Sequence, residues 1–170
     1  LQRAMIAMAI ACRPALLIAD EPTAALDVTV QAQILKLLKR LQATLGMAIL
    51  FVSHDMATVA QLCDDVAVMY AGEIVECGPA LEIYRRPRHP YTQGILRSVP
   101  NLKMRQQALY SIPGSMPPVG QHPRGCRFEP RCPYAIEACR AGQIAIENVG
   151  AAHVARCIRV HELNLAEVPA

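Results

Sequence analysis

Residues 16 to 27 read L-L-I-A-D-E-P-T-A-A-L-D. Leu16, Leu17, Ile18 and Ala19 put no polar residue on either face, so the run reads as a strand covered on both sides, as the central strand of a parallel sheet is. Asp20 and Glu21 follow where the strand leaves the sheet, at the carboxyl edge where open α/β sheets bind their ligands. In phosphoryl transfer one carboxylate at such an edge can hold Mg2+ on the phosphates, while a second orients or deprotonates the attacking water. Asp20 suits the first task and Glu21 the second. A plainer reading also accounts for D-E-P: a charged loop start in which Pro22 keeps Glu21 out of helical geometry.

Working outward, Asp27 can cap a helix over residues 28–45. Val30, Ile34, Leu37, Leu38, Leu41 and Leu45 share one face of it, and Gln31, Lys36, Lys39, Arg40 and Gln42 the other. Gly46 closes the helix. Residues 47–52 then form a second wholly apolar strand, ending in Ser53-His54-Asp55. Strand, helix, strand predicts a βαβ unit with parallel strands and a right-handed crossover. Both strands then end on one edge, so His54 comes out beside Asp20 and Glu21, where an imidazole N–H can donate to a phosphate oxygen or to the attacking water. A lone histidine is more often structural; its place at the matching strand end is what argues for a site. Upstream, residues 1–12 are rich in helix formers and Pro14 ends them, a helix without a visible start. Downstream, Asp55 can cap a short helix over 56–63. Residues 66–70 and 73–77 read as a hairpin around Ala71-Gly72, whose job is edge closure, and 80–84 as a short helix.

L-L-I-A-D-E-P with T-A-A-L-D after it, and F-V-S-H-D at 51–55, resembles the Walker B, D-loop and switch-histidine run of ATP-binding cassette ATPases. The resemblance implies an α/β fold over residues 1–84: the C-terminal part of a P-loop NTPase domain, a parallel sheet with flanking helices. It implies ATP and Mg2+ as ligands. Asp20 would hold Mg-ATP with Ser53 beside the nucleotide, Glu21 and His54 would be catalytic, and Asp27 would lie in the D-loop at a dimer interface. Ala24 stands where Ser or Thr is frequent in that loop. Neither a G-x-x-x-x-G-K-[ST] loop nor the Leu-Ser-Gly-Gly signature is present. The chain therefore looks cut just after the signature, and alone it is expected neither to hold nucleotide well nor to hydrolyse it.

With 53% hydrophobic and 18% charged residues the chain is globular rather than disordered. No apolar run approaches the ~18 residues of a membrane span, and the start lacks the layout of a signal peptide, which makes the cytoplasm the default site. A net charge of +3, five Tyr, two Phe and no Trp argue against a nucleic-acid surface. Eleven of the thirteen prolines lie at or after Pro79, so a boundary is expected near residue 85 and long regular elements are not expected beyond it. Within R-R-P-R-H-P-Y-T-Q-G-I-L, at 85–96, Arg85, Arg86, Arg88 and His89 form a basic cluster that reads equally as a solvated turn or as a partner contact. This stretch resembles one that follows the cassette core in the oligopeptide and dipeptide permease ATPases.

Of the seven cysteines, Cys12, Cys63 and Cys77 lie in apolar surroundings and read as small core residues. Cys126, Cys132, Cys139 and Cys157 are spaced C-x5-C-x6-C-x17-C. A four-thiolate metal site, disulfides and unligated core cysteines compete as readings. Disulfides are disfavoured in a reducing cytosol. Core packing fits poorly beside Arg127, Pro130, Arg131 and Pro133, whereas ligation would supply folding energy to a Pro-rich segment with little core of its own. The C-x-x-C knuckles usual for structural zinc are absent, and iron–sulfur clusters accept looser spacings. The tail resembles the C-terminal module of those permease ATPases, some of which carry a [4Fe–4S] cluster on such cysteines. That resemblance puts the cluster ahead of zinc and makes residues 85–170 a small, irregular Cys/Pro-rich module. His122, His153 and His161 flank the set as alternative ligands or surface histidines.

Taken whole, the resemblance implies an ATPase subunit that powers import of di- or oligopeptides from the cytoplasmic face of the inner membrane. Its partners would be two transmembrane permease subunits, a second ATPase subunit in a heterodimer and an extracytoplasmic peptide-binding protein, with no nucleic acid. The rival readings are a truncated non-catalytic product, a metal-binding regulatory protein, a nickel-import ATPase, and a DNA-repair cassette ATPase. For the last, neither a coiled-coil insertion nor a basic duplex-binding surface is visible.

Overall fold

A computed structural model describes residues 2–99, 110–118 and 120–165. The chain forms two compact units, Leu1–Cys63 and Asp64–Ala170.

In the first unit, α1 (Gln2–Ile10), β1 (Leu16–Asp20), α2 (Val28–Leu45), β2 (Ala48–Val52) and α3 (Met56–Leu62) follow one another. β1 and β2 pair in parallel, from Leu16 opposite Ala48 to Asp20 opposite Val52. This is the βαβ unit expected from the periodicity. Asp27 caps α2 by accepting from the Val30 N–H at 2.9 Å, and Gly46 ends it in a left-handed conformation at φ +65°. Ile6, Leu17, Ile34, Leu38 and Met47 are the buried centre, with Val30, Leu37, Leu41, Ile49 and Phe51 packed on them. Leu45, placed on the same face by periodicity, is exposed because it sits in the last turn of α2.

Burial along β1 alternates rather than being continuous. Leu17 and Ala19 are buried, while Leu16 and Ile18 are 50% and 64% exposed. The expectation of a strand covered on both sides is thus corrected. Helices supply the apolar cover for one face of the two-stranded sheet, and Leu16, Ile18, Leu50 and Val52 stay exposed on the other. Cys12 is also exposed and Cys63 only partly buried, so neither is the core cysteine expected.

The second unit contains β3 (Asp65–Tyr70), β4 (Glu73–Pro79), α4 (Ala80–Arg85), α5 (Pro90–Arg97), β5 (Glu147–Gly150) and β6 (His153–Ala155). Single 3-10 turns at Glu129–Arg131 and Glu137–Arg140 interrupt the segment between α5 and β5. The hairpin turns at Ala71 and Gly72, both at positive φ, the pattern that matches the twist of tightly joined strands. The four strands form one antiparallel sheet in the order β3-β4-β6-β5. β4 is therefore an interior strand and does not close an edge. The Cys- and Pro-rich segment shares a sheet and a core with the hairpin, so the compact unit begins at Asp64, upstream of the boundary expected near residue 85. α5 was not expected either; His89 caps it and Pro90 opens it, the position at which a helix tolerates proline. Cys77 is partly buried.

An aromatic knot centres this unit. Tyr70, Tyr91 and Phe128 stack pairwise with ring centroids 4.7, 5.1 and 5.4 Å apart, and Phe128 is 1% exposed. Ile83, Leu96, Ile144, Ala155 and Val160 are buried in the same unit. Glu76, on β4, is completely buried. Its carboxylate accepts from the N–H groups of Arg88 at 2.7 Å and His89 at 2.9 Å, and it pairs with His153 Nε2 on β6 at 2.8 Å. A buried carboxylate is tolerable only with this degree of satisfaction. One side chain thus ties three segments together. His153, read from sequence as a ligand or a surface residue, is instead an internal staple.

Candidate functional site

Two groups of chemically capable side chains stand out, one in each unit. In the first, β1 ends at Asp20 and β2 at Val52, and the parallel register brings the following residues together. The Glu21 N–H donates to Val52 O at 3.0 Å. The Glu21 carboxylate then accepts through Oε1 from the His54 backbone N–H at 3.0 Å and lies 2.7 Å from His54 Nδ1. Glu21 itself is held at φ +44°, a left-handed conformation that costs a non-glycine residue roughly 1–3 kcal/mol and is concentrated at functional sites. Nothing in the sequence signals that strain.

The hydrogen bond that His54 donates to Glu21, and then the charge of Glu21, raise the pKa of His54 above the usual imidazole value. With Nδ1–H given to Glu21, Nε2 is the nitrogen left for another partner. Asp20 is exposed, and its carboxylate has no protein partner among the described residues. Such a carboxylate suits a hard cation such as Mg2+. Ser53 Oγ accepts from the Asp55 N–H at 3.1 Å. Asp27 is exposed and occupied with capping α2.

Asp55 fixes the turn that carries His54. It accepts from the Ala57 N–H at 2.9 Å and from the Thr58 hydroxyl, and Gln31 on α2 donates to both Asp55 Oδ2 and Thr58 Oγ1. Burial opposes ionisation of Asp55, but these hydrogen bonds outweigh it and hold the carboxyl below its usual range. Gln31 reads from periodicity as an outward polar residue; its role as a brace appears only once α3 is placed.

In the second unit, Cys126, Cys132, Cys139 and Cys157 line one cavity together with His89, Phe128, Ile144 and Leu163. No disulfide joins them. Burial pushes the Cys126 thiol up, Cys132 to about 12 and Cys157 to about 11. For these three, burial favours the neutral thiol, and a bound cation would deprotonate them. Among the described residues no three His, Cys, Asp or Glu side chains converge closely enough to hold a single ion.

The main chain sets the spacing of this wall: the Cys126 N–H donates to Cys139 O at 2.8 Å. A Cβ at Gly125 would stand 2.1 Å from that same oxygen, so only glycine fits. His89 is 1% exposed; burial takes its pKa down to about 3, and its Nδ1 accepts from the Tyr91 N–H at 3.0 Å. The reading of 85–89 as a solvated basic turn is corrected on this point: Arg85 and Arg86 are exposed, but His89 is a neutral buried cap. His161 is a surface residue paired with Glu147, and His122 Nδ1 is buried with no partner among the described residues.

Residues 75–139 match the family described as the oligopeptide/dipeptide transporter, C-terminal region. A Brucella ovis protein named for peptide import and ATP binding is 53% identical over 168 residues, covering 95% of this chain and 50% of the relative. The dipeptide transport ATP-binding protein DppD of Escherichia coli is 51% identical over 156 residues, covering 92% of this chain and 48% of its own length. DppD of Haemophilus influenzae is 52% identical over 153 residues, covering 90% and 46%. The chain spans about half the length of these curated relatives. Identity above one half across nearly the entire chain, with the family match running from β4 to the third of the four cavity cysteines, makes the chain similar to about half the length of the ATP-binding proteins named for peptide import and dipeptide transport.

Proposed function

We propose that this chain carries the strand-end catalytic groups of an ATPase subunit that powers import of di- or oligopeptides. The observation that carries the reading is the contact between Glu21 and His54 at the carboxyl ends of two parallel strands. His54 occupies one oxygen of the Glu21 carboxylate and leaves Oε2 without a partner among the described residues. That oxygen is available to orient a water and take its proton. Glu21 favours the protonated form of His54, and in that form Nε2–H can donate to a phosphate oxygen. Asp20 would hold Mg2+, which supplies neutralising charge on the phosphates when bound. Ser53 supports the turn beside the nucleotide, and Asp27 faces a second ATPase subunit. The names of the relatives, peptide import and dipeptide transport ATP-binding proteins, support the substrate class. The partners would be two permease subunits and an extracytoplasmic binding protein, with this subunit at the cytoplasmic face. Among the described residues no helix is long and apolar enough to cross a membrane.

The test is Glu21→Gln in a full-length protein carrying this sequence, reconstituted with its permease partners in proteoliposomes. ATP hydrolysis should fall roughly 10²–10⁴-fold with nucleotide binding retained. Unchanged hydrolysis would sink the assignment.

In the same reading Cys126, Cys132, Cys139 and Cys157 hold a [4Fe–4S] cluster, a covalent staple for the second unit that can also sense oxidants. Their shared cavity supports it. Anaerobic purification followed by iron and sulfide analysis should find about four irons per chain, lost in Cys132→Ser. Zinc alone, or a folded chain without metal, would overturn the cluster.

A further inference from the structure

A second cavity, about 260 Å3 in volume, opens on the second unit and is lined by Arg124, Arg127, Arg156, Glu73, Gln143 and Gly125, closed by Pro123 and Ile144. Its three guanidinium groups face a single carboxylate, so the lining carries a surplus of two positive charges. Part of this donor capacity is structural. Arg127 pairs with Glu73 through Nε at 3.1 Å and donates through Nη1 to Ala71 O at 2.5 Å. Arg156 donates through Nε to Ile74 O at 3.1 Å and through Nη1 to Ile144 O at 2.6 Å. These bonds fix the two planes rigidly and leave each Nη2 without a partner among the described residues. Arg124 has no partner among them at all. The Gln143 amide adds further hydrogen-bonding capacity, and the wall offers too little apolar surface for a hydrophobic ligand.

We propose that this cavity is a binding site for a phosphate-class oxyanion. Two held guanidinium planes, each with a spare fork of donors, and a third free one meet the need of a compact dianion for many donors from several directions. A single carboxylate would leave much of that donor set unused. The site adjoins the cysteine segment in sequence: Arg124 and Arg127 bracket Cys126, Arg156 precedes Cys157, and Ile144 lines both cavities.

The test is calorimetric titration of the 170-residue chain with inorganic phosphate at low ionic strength, alongside flotation with phosphatidylglycerol and phosphatidylcholine vesicles. Arg124→Ala, which breaks no internal bond, should weaken phosphate binding roughly tenfold. Arg85→Ala removes the same charge from an exposed position outside the cavity and should leave binding within about twofold. Flotation only with phosphatidylglycerol, lost in Arg124→Ala, would name a lipid headgroup as the phosphate's source; phosphate binding without flotation would name a soluble one. Absence of both, or equal weakening by the two substitutions, overturns the proposal.

Discussion

Of the glutamate–histidine pairs among the described residues, Glu21–His54 at 2.7 Å and Glu76–His153 at 2.8 Å have nearly the same length and opposite settings. The His54 side chain is 86% exposed, whereas Glu76 is wholly buried. Water screens the first pair, so it contributes little to stability, and its atoms remain available to another molecule. The second is sealed and accepts two further main-chain N–H groups, so each partner depends on the other for satisfaction. The contact chemistry is the same; what separates the two pairs is access and how many of their lone pairs are already committed.

The largest expected effect breaks the buried pair. Glu76→Ala leaves His153 and the Arg88 and His89 N–H groups unpaired, and should cost about 3–5 kcal/mol in chemical denaturation followed through the tyrosines of the second unit. Glu76→Gln should recover part of that loss. A cost below about 1 kcal/mol would show that the pair is no staple.

Acid probes the same unit. His89 is neutral when folded, with its pKa pushed down to about 3, so between that value and 6.5 the unfolded chain binds the extra proton. Its contribution is complete above pH 6.5 and is lost as pH falls, by about 3 kcal/mol between pH 7 and pH 4. Denaturation midpoints of wild type and His89→Gln over this range isolate that slope, which the substitution should flatten.

Smaller effects come from the main chain. Gly125→Ala must push Cys139 O away and should cost about 2 kcal/mol. If the proposed cluster is present, the substitution should also lower the iron content of anaerobically purified protein. In the first unit, Asp27→Ala removes the cap of α2 and should cost about 1 kcal/mol, measured by urea denaturation.

The exposed pair should give the smallest change in stability and the clearest one in titration. Glu21→Gln should bring the pKa of His54 down toward 6.5, as read from its ring proton shifts by NMR, with the denaturation midpoint unmoved. Because Glu21 raises that pKa, the pair's contribution is complete below pH 6.5 and fades as pH rises through the folded value. An unshifted His54 titration would mean that the contact does not hold in solution.

The parallel β1–β2 pairing could be read from two apolar runs separated by a capped amphipathic helix, because those signals are local. The Ala71-Gly72 hairpin was legible for the same reason. The addition of β6 to β4 was not: Glu76 and His153 are 77 positions apart, and three residues of strand around a histidine carry no pattern. Without that pairing, His153 reads as a surface histidine or an alternative ligand, and His89 as part of a solvated turn or a partner contact. The alternating exposure of β1 was also out of reach, since an apolar run reports what a strand would tolerate on each face and not what packs there. At the candidate site, the strand-end position of His54 follows from topology, but the strained backbone of Glu21 and the bracing by Gln31 depend on tertiary contacts.

The hydrogen bond between Cys126 and Cys139, with glycine obligatory at 125, bears on binding entropy. Two of the four cysteines sit on main chain that is already ordered, so the proposed cluster would cost the chain less conformational freedom there than on a floppy loop. The geometry is inherited from the fold, and affinity can be tuned at the other two cysteines without rebuilding the wall that carries these.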